Sequence, residues 1–393
     1  MSDGYWTDER YMMQETARDF TTKEVLPVAN KLDPEKGEIP RDLIDKMGQM
    51  GYFGITIPEE KGGLGLGCFE YCVIAEELAR GWMSVASLIA RGNGFWRSVP
   101  GSGPEQDAKI AQMAAGQYLG AFAMSEPNAG SDMAGVACRA TRDGDDWIIN
   151  GNKYWCTFAD GADFISVVCR VENDTGKRQG GMKSIAVEKP RGELPAGVQG
   201  SPIPKIGYHG WKTWELHFDN VRVPVLERQA SAEERGPASM AGGFVGIQKG
   251  LEGARAHTAA RSIGAAQGAL NVAIEYANER EQFGRPIGKF QAIRFKIATA
   301  ATEIEAARQL MYHVCHEIDN GRRADKEAAM VKYFAAEMSE RVTSECLQIM
   351  GGAGYTTHYP VERYWRDARL TKIFEGTSEI MQRIISDRLM GKG

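Results

Sequence analysis

Four short stretches of the sequence hold residue types that neither helix nor strand formation requires. In IFEGTSEIMQR, residues 373–383, Glu375 is followed by Gly376, Thr377 and Ser378. Thr377 or Ser378 can cap a helix beginning there, which sets a carboxylate at a helix mouth, and the glycine lets a ligand approach the backbone closely. AFAMSEPNAGSD, residues 121–132, runs from apolar residues into small and polar ones. Backbone N–H groups and hydroxyls at such a turn can hold a planar polar ring or an anionic group, although an ordinary loop has the same composition. In NGNKYWCT, residues 150–157, Trp155 can stack on an aromatic cofactor while Thr157 donates to a ring heteroatom; a core tryptophan is the plainer reading. In NEREQFGRPIGKFQ, residues 278–291, Arg280 and Arg285 flank Phe283-Gly284. That spacing suits a diphosphate, because guanidinium groups make paired hydrogen bonds to its oxygens, and a solvated helix end is the alternative.

Three weaker signals lead elsewhere. KGGLGLG has no strand before it and no suitably placed acid after it, so it reads as a surface turn rather than a dinucleotide fingerprint. His313 and His316 share a predicted helix with Cys315 but lack further ligands, which predicts no metal site. Asn173-Asp174-Thr175 reads as a loop.

The elements that must position these stretches change character twice. Residues 8–120 read as helices joined by glycine turns, with helical spacing in Leu43, Ile44, Met47 and Met50 and again in Val73, Ile74 and Leu78. From residue 121, DWIINGNKYWCTF, FISVVCRV, SIAVEKP and WELHFDNVRVP are β-branched, aromatic and partly alternating. After a polar connection at residues 227–246 helical periodicity returns. Ile293, Ile297, Ala301, Ile304, Leu310, Met311, Val314 and Ile318 mark one apolar face, and Val331, Phe334, Ala335, Met338, Val342 and Met350 another. The expected architecture is mainly α with a middle β domain: an N-terminal helical domain at 1–120, a β domain at 121–235 and a C-terminal four-helix bundle at 236–393.

With 393 residues, 43% hydrophobic and 25% charged, the chain has globular composition and length for two or three domains. A net charge of −5 without a basic block argues against nucleic acid, and no run of about 18 uncharged apolar residues argues for a membrane span. Seven scattered cysteines without a C-x-x-C pair read as buried reduced thiols, and the N-terminus does not read as a secretion signal, so a cytoplasmic location is expected.

Taken together, PEEKGGLGLG, SEPNAGSD, YWCT, REQFGRP, QIMGGAGY, YWRDARL and FEGTSEI resemble recurring stretches of the acyl-CoA dehydrogenase family, in the family's order and over nearly the whole chain. The resemblance implies a β-barrel-like middle domain between helical ones, a homotetramer, and FAD lying between domains and subunits. It implies α,β-dehydrogenation of an acyl-CoA thioester to the trans-2-enoyl-CoA, with electrons passed to an electron-transferring flavoprotein. Glu375 takes the position of the catalytic base for the Cα proton, and flavin N5 receives the Cβ hydride. A carboxylate in water is too weak a base for that proton, so the site must exclude water and polarise the thioester. The implied donors to the thioester oxygen are the Glu375 N–H and a ribityl hydroxyl.

The same resemblance places flavin contacts on Phe122, Met124, Ser125, Gly130, Ser131, Trp155 and Thr157. Arg280, Gln282, Phe283, Phe290, Gln291, Gln348, Gly351 and Gly352 would hold the adenine dinucleotide part, some across a subunit interface, with Thr377 and Glu379 as further FAD contacts. Ser131, Glu252, Arg255 and Gly376 match positions that touch the CoA thioester. Some members carry the base on the first bundle helix, but Ala254 stands there, and Glu252 would point elsewhere. Two departures bear on substrate. Trp211-Lys212-Thr213 would narrow or reshape the channel, and MSVASLIARGNGFW brings Arg91 and Trp96 into a region meant for a hydrocarbon tail. Arg91 facing the pocket implies an acidic or polar acyl terminus; facing solvent, the usual direction for a helix charge, it implies nothing. The competing functions are a flavin oxidase or monooxygenase on the same fold and a non-catalytic flavin or CoA binder. Retention of Glu375 favours dehydrogenation.

Overall fold

The structure, a computed structural model, describes residues 4–171, 181–225 and 243–391. The Asn173-Asp174-Thr175 triplet, the 235/236 boundary and most of the 227–246 connection lie outside the described residues. Thr7 caps α1 (Asp8–Phe20), accepting from the Arg10 N–H at 3.3 Å. A π-helical turn leads into α2 (Leu26–Leu32), and α3 (Arg41–Gln49) buries Leu43, Ile44 and Met47 as their spacing requires. α4 (Cys68–Gly81) is buried nearly all round, so its acids need partners: Glu76 meets Arg308 at 2.8 Å and Glu77 meets Arg18 at 2.8 Å. The KGGLGLG turn ends at the start of α4, where the Asp319 carboxylate already accepts from the Cys68 and Phe69 N–H groups. α5 (Met83–Leu88), α6 (Ala90–Asn93) and α7 (Gly103–Ala114) complete the first region.

The middle region is one seven-stranded sheet of β1 (Gly120–Ala123), β2 (Arg139–Asp143), β3 (Asp146–Thr157), β4 (Phe164–Arg170), β5 (Met182–Glu188), β6 (Val198–Pro202) and β7 (Thr213–Pro224). The order is β1-β4-β2-β3-β7-β6, with β5 beside β4. β4 pairs parallel to β1 and antiparallel to β5, and its continuous apolar run is buried on both faces. β3 and β7 pair antiparallel with a register break between Lys153 and Cys156.

α8 (Gly243–Glu279) is followed by the hairpin strands β8 (Glu281–Gln282) and β9 (Arg285–Pro286). Then come α9 (Gln291–Asp319), α10 (Asp325–Met350), α11 (Val361–Thr371) and α12 (Ser378–Met390). α8 packs on α4 and α10 together, which is why residues 255–266 are buried on every side. Two expected core positions differ: Ala301 is exposed because the buried stripe of α9 runs one position earlier through Ala300, and Phe334 stays exposed on α10. All seven cysteines are free and buried, and the sulfurs of Cys68, Cys72 and Cys315 lie within 4.8 Å of one another. No helix among the described residues is long and apolar enough to cross a membrane.

Candidate functional site

Glu375 and Gly376 follow one another in the left-handed region, with φ of 55° and 96°. A non-glycine residue there stores strain of about 1–3 kcal/mol, so the turn must be held by its surroundings. The Lys332 ammonium donates to the Gly376 carbonyl, and a Cβ on Gly376 would come within 2.6 Å of the Met381 Cε. Of the two capping candidates, Thr377 does the work, its Oγ1 accepting from the Ile380 N–H at 3.3 Å; Ser378 donates instead to Glu337 at 2.7 Å. Among the described residues the Glu375 N–H has no hydrogen-bond partner.

The Glu375 carboxylate is gripped from α8. Arg261 Nη2 donates to Oε1 at 2.7 Å, and the Thr258 hydroxyl donates to Oε2. Arg261 also reaches Thr258 at 2.8 Å, Ser87 Oγ at 2.8 Å and Tyr208 Oη at 3.4 Å, and its guanidinium sits 4.7 Å from the Phe374 ring centroid. Burial works against the Arg261 charge, and Glu375 then Tyr208 hold its pKa above the ordinary value nonetheless. The side chains are 2% exposed for Arg261 and 30% for Glu375, so water still reaches the carboxylate. Sequence reasoning missed Arg261, Thr258, Tyr208, Ser87 and Lys332. The available signal for Arg261 was a second arginine, beside Arg255, inside GARAHTAARSIGAA, a stretch otherwise made mostly of small residues.

The second wall comes from the sheet. At the β3 break Trp155 takes φ 62° and turns outward, 56% exposed, while Cys156 and Lys153 on either side are buried. Trp155 is therefore not the core tryptophan that composition allows. Thr157 Oγ1 lies 3.1 Å from Thr213 Oγ1 on β7. The loop after β1 is tied down by Glu126, whose carboxylate accepts from the Ala137 N–H at 2.8 Å, the Cys138 N–H at 2.9 Å and Lys153 Nζ at 2.7 Å. Phe122, Met124 and Ser125 remain partly exposed, Gly130 and Ser131 exposed, and nothing lies within 4 Å of where a Gly130 Cβ would be.

The two walls are joined by an aromatic run. Trp211, two residues before Thr213, packs on Tyr208 at 5.2 Å between centroids, and Tyr208 packs on Phe374 at 5.8 Å. Asp367 accepts from the Tyr208 N–H at 2.5 Å and is pushed up to about 7, chiefly by burial and then by Asp33. Arg91 points into this run: its guanidinium lies 5.1 Å from Trp211, 5.9 Å from Phe95 and 6.0 Å from Phe158. Trp96 instead packs in a separate small cluster with Val99 and Ile110.

Arg280, Gln282, Phe283, Phe290 and Gln291 follow the far end of α8, and Gln348, Gly351 and Gly352 lie at the end of α10. Phe283 is 95% exposed, and the ion pair from Lys296 to Glu345 brings the start of α9 to the end of α10 there. From Thr258 to Glu279 the helix rises roughly 30 Å at 1.5 Å per residue, so one chain does not bring this group to Glu375. Thr377 and Glu379 lie with Glu375 at the start of α12, Glu379 exposed. Glu252 accepts from the Ala324 N–H at 3.4 Å and makes no contact with Glu375, as expected of its place on the helix. Arg255 is buried with an unpartnered Nε, its pKa lowered by burial against the fields of Glu252, Asp325 and Glu375.

Comparison with known proteins accounts for nearly the whole chain. Family descriptions match in order: acyl-CoA dehydrogenase, N-terminal domain, at residues 7–114; middle domain at 121–221; C-terminal domain at 241–390. The chain is 36% identical to a 3-(aryl)acrylate reductase of Clostridium sporogenes, covering 98% of this chain and 100% of that protein. It is 35% identical to the caffeyl-CoA reductase-Etf complex subunit CarC of Acetobacterium woodii, covering 99% and 100%. The solved butyryl-CoA dehydrogenase of Megasphaera elsdenii superposes with a TM-score of 0.86 at 32% identity, covering 98% and 99%. The chain belongs to the acyl-CoA dehydrogenase family.

Proposed function

We propose that the protein oxidises an acyl-CoA thioester to its trans-2-enoyl-CoA with FAD as cofactor, Glu375 removing the α-proton. The single observation that carries the reading is Glu375 itself. It sits on a pinned left-handed turn, its carboxylate is aimed by Arg261 and Thr258, and its N–H is left free to donate. The free N–H suits the thioester oxygen, whose charge grows as the α-proton leaves, and Gly376 gives the thioester access to that backbone. Ser131 and Arg255 are the further contacts assigned to the CoA thioester, and the buried, unpartnered Arg255 Nε supports its part.

FAD fits the residues present. Outward-turned Trp155, partly exposed Phe122 and Met124, and the open space at Gly130 form an apolar platform, edged by Ser125 and Thr157, of the kind a flat heteroaromatic ring requires. When bound, FAD supplies the hydride acceptor for Cβ. Phe283 and its neighbours, too far along α8 to serve the same chain, support dinucleotide contacts made across subunits in a homotetramer. An electron-transferring flavoprotein as electron acceptor is supported by the printed name of the CarC relative. Seven free, buried thiols support a reducing, cytoplasmic setting. The reductase names of two relatives favour a second reading on the same residues, reduction of an unsaturated substrate, in which Glu375 returns the proton to Cα.

The test is colour. The purified protein should be yellow, bleach anaerobically on addition of an acyl-CoA, and reoxidise slowly in air but rapidly with an electron-transferring flavoprotein. Fast reoxidation by air alone would point to an oxidase or monooxygenase, and protein that binds no FAD would contradict the reading outright.

A further inference from the structure

Arg91 is the one feature of the pocket that the proposed chemistry does not use. Its Nε is wholly covered, the residue keeps some accessible surface, and among the described residues none of its N–H groups has a hydrogen-bond partner or an acid in salt-bridge range. Phe95, Phe158 and Trp211 surround the guanidinium with rings, and Phe95 also touches Phe122 on the flavin platform, 6.2 Å between centroids. Arg91 therefore lies among rings that connect the flavin platform, through Phe95 and Phe122, with the Glu375 turn, through Trp211, Tyr208 and Phe374. Burial lowers its pKa, opposed by the fields of Tyr208, Cys156 and Glu375.

Two bland explanations fail on this geometry. Arg91 does not serve to neutralise Glu375, because Arg261 and Thr258 already take both carboxylate oxygens. Nor does ring contact alone keep the charge there, since attraction of a cation to aromatic faces recovers only a small part of the cost of stripping its water. Arg261 is answered by Glu375, whereas the ring-lined guanidinium of Arg91 has no anion of its own. We propose that its anion is the far end of the substrate: the acyl group carries a terminal carboxylate, bound by Arg91, on a chain whose apolar middle lies against Phe95, Phe158 and Trp211. Trp211, which departs from the family pattern, then serves as a wall that fixes the reach of the chain.

The inference rests on the dehydrogenase reading, and the experiment separates the two. FAD-loaded wild type, Arg91→Met and Arg91→Lys are reduced anaerobically with glutaryl-CoA and adipyl-CoA, each paired with the monocarboxylic acyl-CoA of equal length. Flavin content and thermal unfolding check that each variant is folded. The wild type should favour the dicarboxylic member of each pair by at least about tenfold. Arg91→Met should lower that ratio about 10- to 100-fold, mostly through KM, as expected for loss of a charge-assisted contact, with Arg91→Lys in between. If the wild type bleaches with monocarboxylic thioesters equally well, or Arg91→Met slows both classes alike, the carboxylate subsite is overturned while the dehydrogenase reading stands. If no thioester bleaches the bound flavin, both fall.

Discussion

At the scale of single residues, Glu375 is the proposed base and also neutralises a buried arginine, so substitutions there should act on stability as well as on rate. Glu375→Ala leaves Arg261, 2% exposed, without its counter-charge and with only neutral oxygens to donate to, whereas Glu375→Gln keeps an oxygen in the carboxylate's place. Glu375→Ala should therefore be less stable than Glu375→Gln, by about 2 kcal/mol at most because the carboxylate is partly solvated. Denaturant unfolding of the two variants checks this, and equal midpoints would mean the pair contributes nothing. Glu375, Trp155 and Arg91 stood out in the sequence as residue types unusual for their segments, but composition favoured a core place for Trp155 and a solvent-facing one for Arg91. Arg261 did not stand out, because its role depends on a partner 114 positions away that only the tertiary fold supplies.

Element by element, two buried lysines decide how firmly the walls are held. Lys153 on β3 is wholly buried against Glu126, so Lys153→Met leaves a carboxylate without its counter-charge and should cost about 3 kcal/mol or more. Glu126 anchors the loop after β1, so the variant should also release FAD at a lower temperature than the wild type, read from flavin fluorescence on heating. Flavin release unchanged by the substitution would separate that loop from the cofactor.

Lys332 on α10, which holds the Gly376 carbonyl, is lowered to about 8, first by burial and against the pull of Glu375. Its unfolded value lies near 10.4, so between about pH 8 and 10.4 the unfolded chain binds more protons and folding stability rises with pH. Below pH 8 the burial penalty is present in full. The stability of the wild type relative to Lys332→Met should accordingly climb across that window in urea unfolding, and a flat difference would contradict the assignment. The long helices and the strands β3, β4, β5 and β7 were readable from period and composition, whereas the short β1, β2 and β6 carry too few residues for a pattern. The outward turn of Trp155 was not readable, because it comes from a register break against β7 that no single segment encodes.

For the whole molecule, the separation along α8 sets the question of assembly. The order of helical, β and helical blocks was visible as two changes of texture, near residues 121 and 246. In the proposed homotetramer, Phe283 of one subunit would serve the flavin platform of another. If dinucleotide contacts come from a neighbour, a subunit bearing Glu375→Gln and one bearing Arg280→Glu with Phe283→Ala are each inactive alone for different halves of the site. Co-expression should then restore a fraction of wild-type turnover, through sites that draw an intact base from one chain and an intact grip from the other. Absence of any recovery in verified mixed oligomers would confine each site to one chain.

The measurement that bears most directly on the account is single-turnover flavin reduction by a reactive acyl-CoA in Glu375→Gln. The variant should purify yellow and bind the thioester, and its flavin should bleach about 10² to 10⁴ times more slowly than in the wild type, the share expected of a positioned general base. Bleaching at the wild-type rate would place proton abstraction on another residue and remove the basis for reading the turn at Glu375 as the reactive centre.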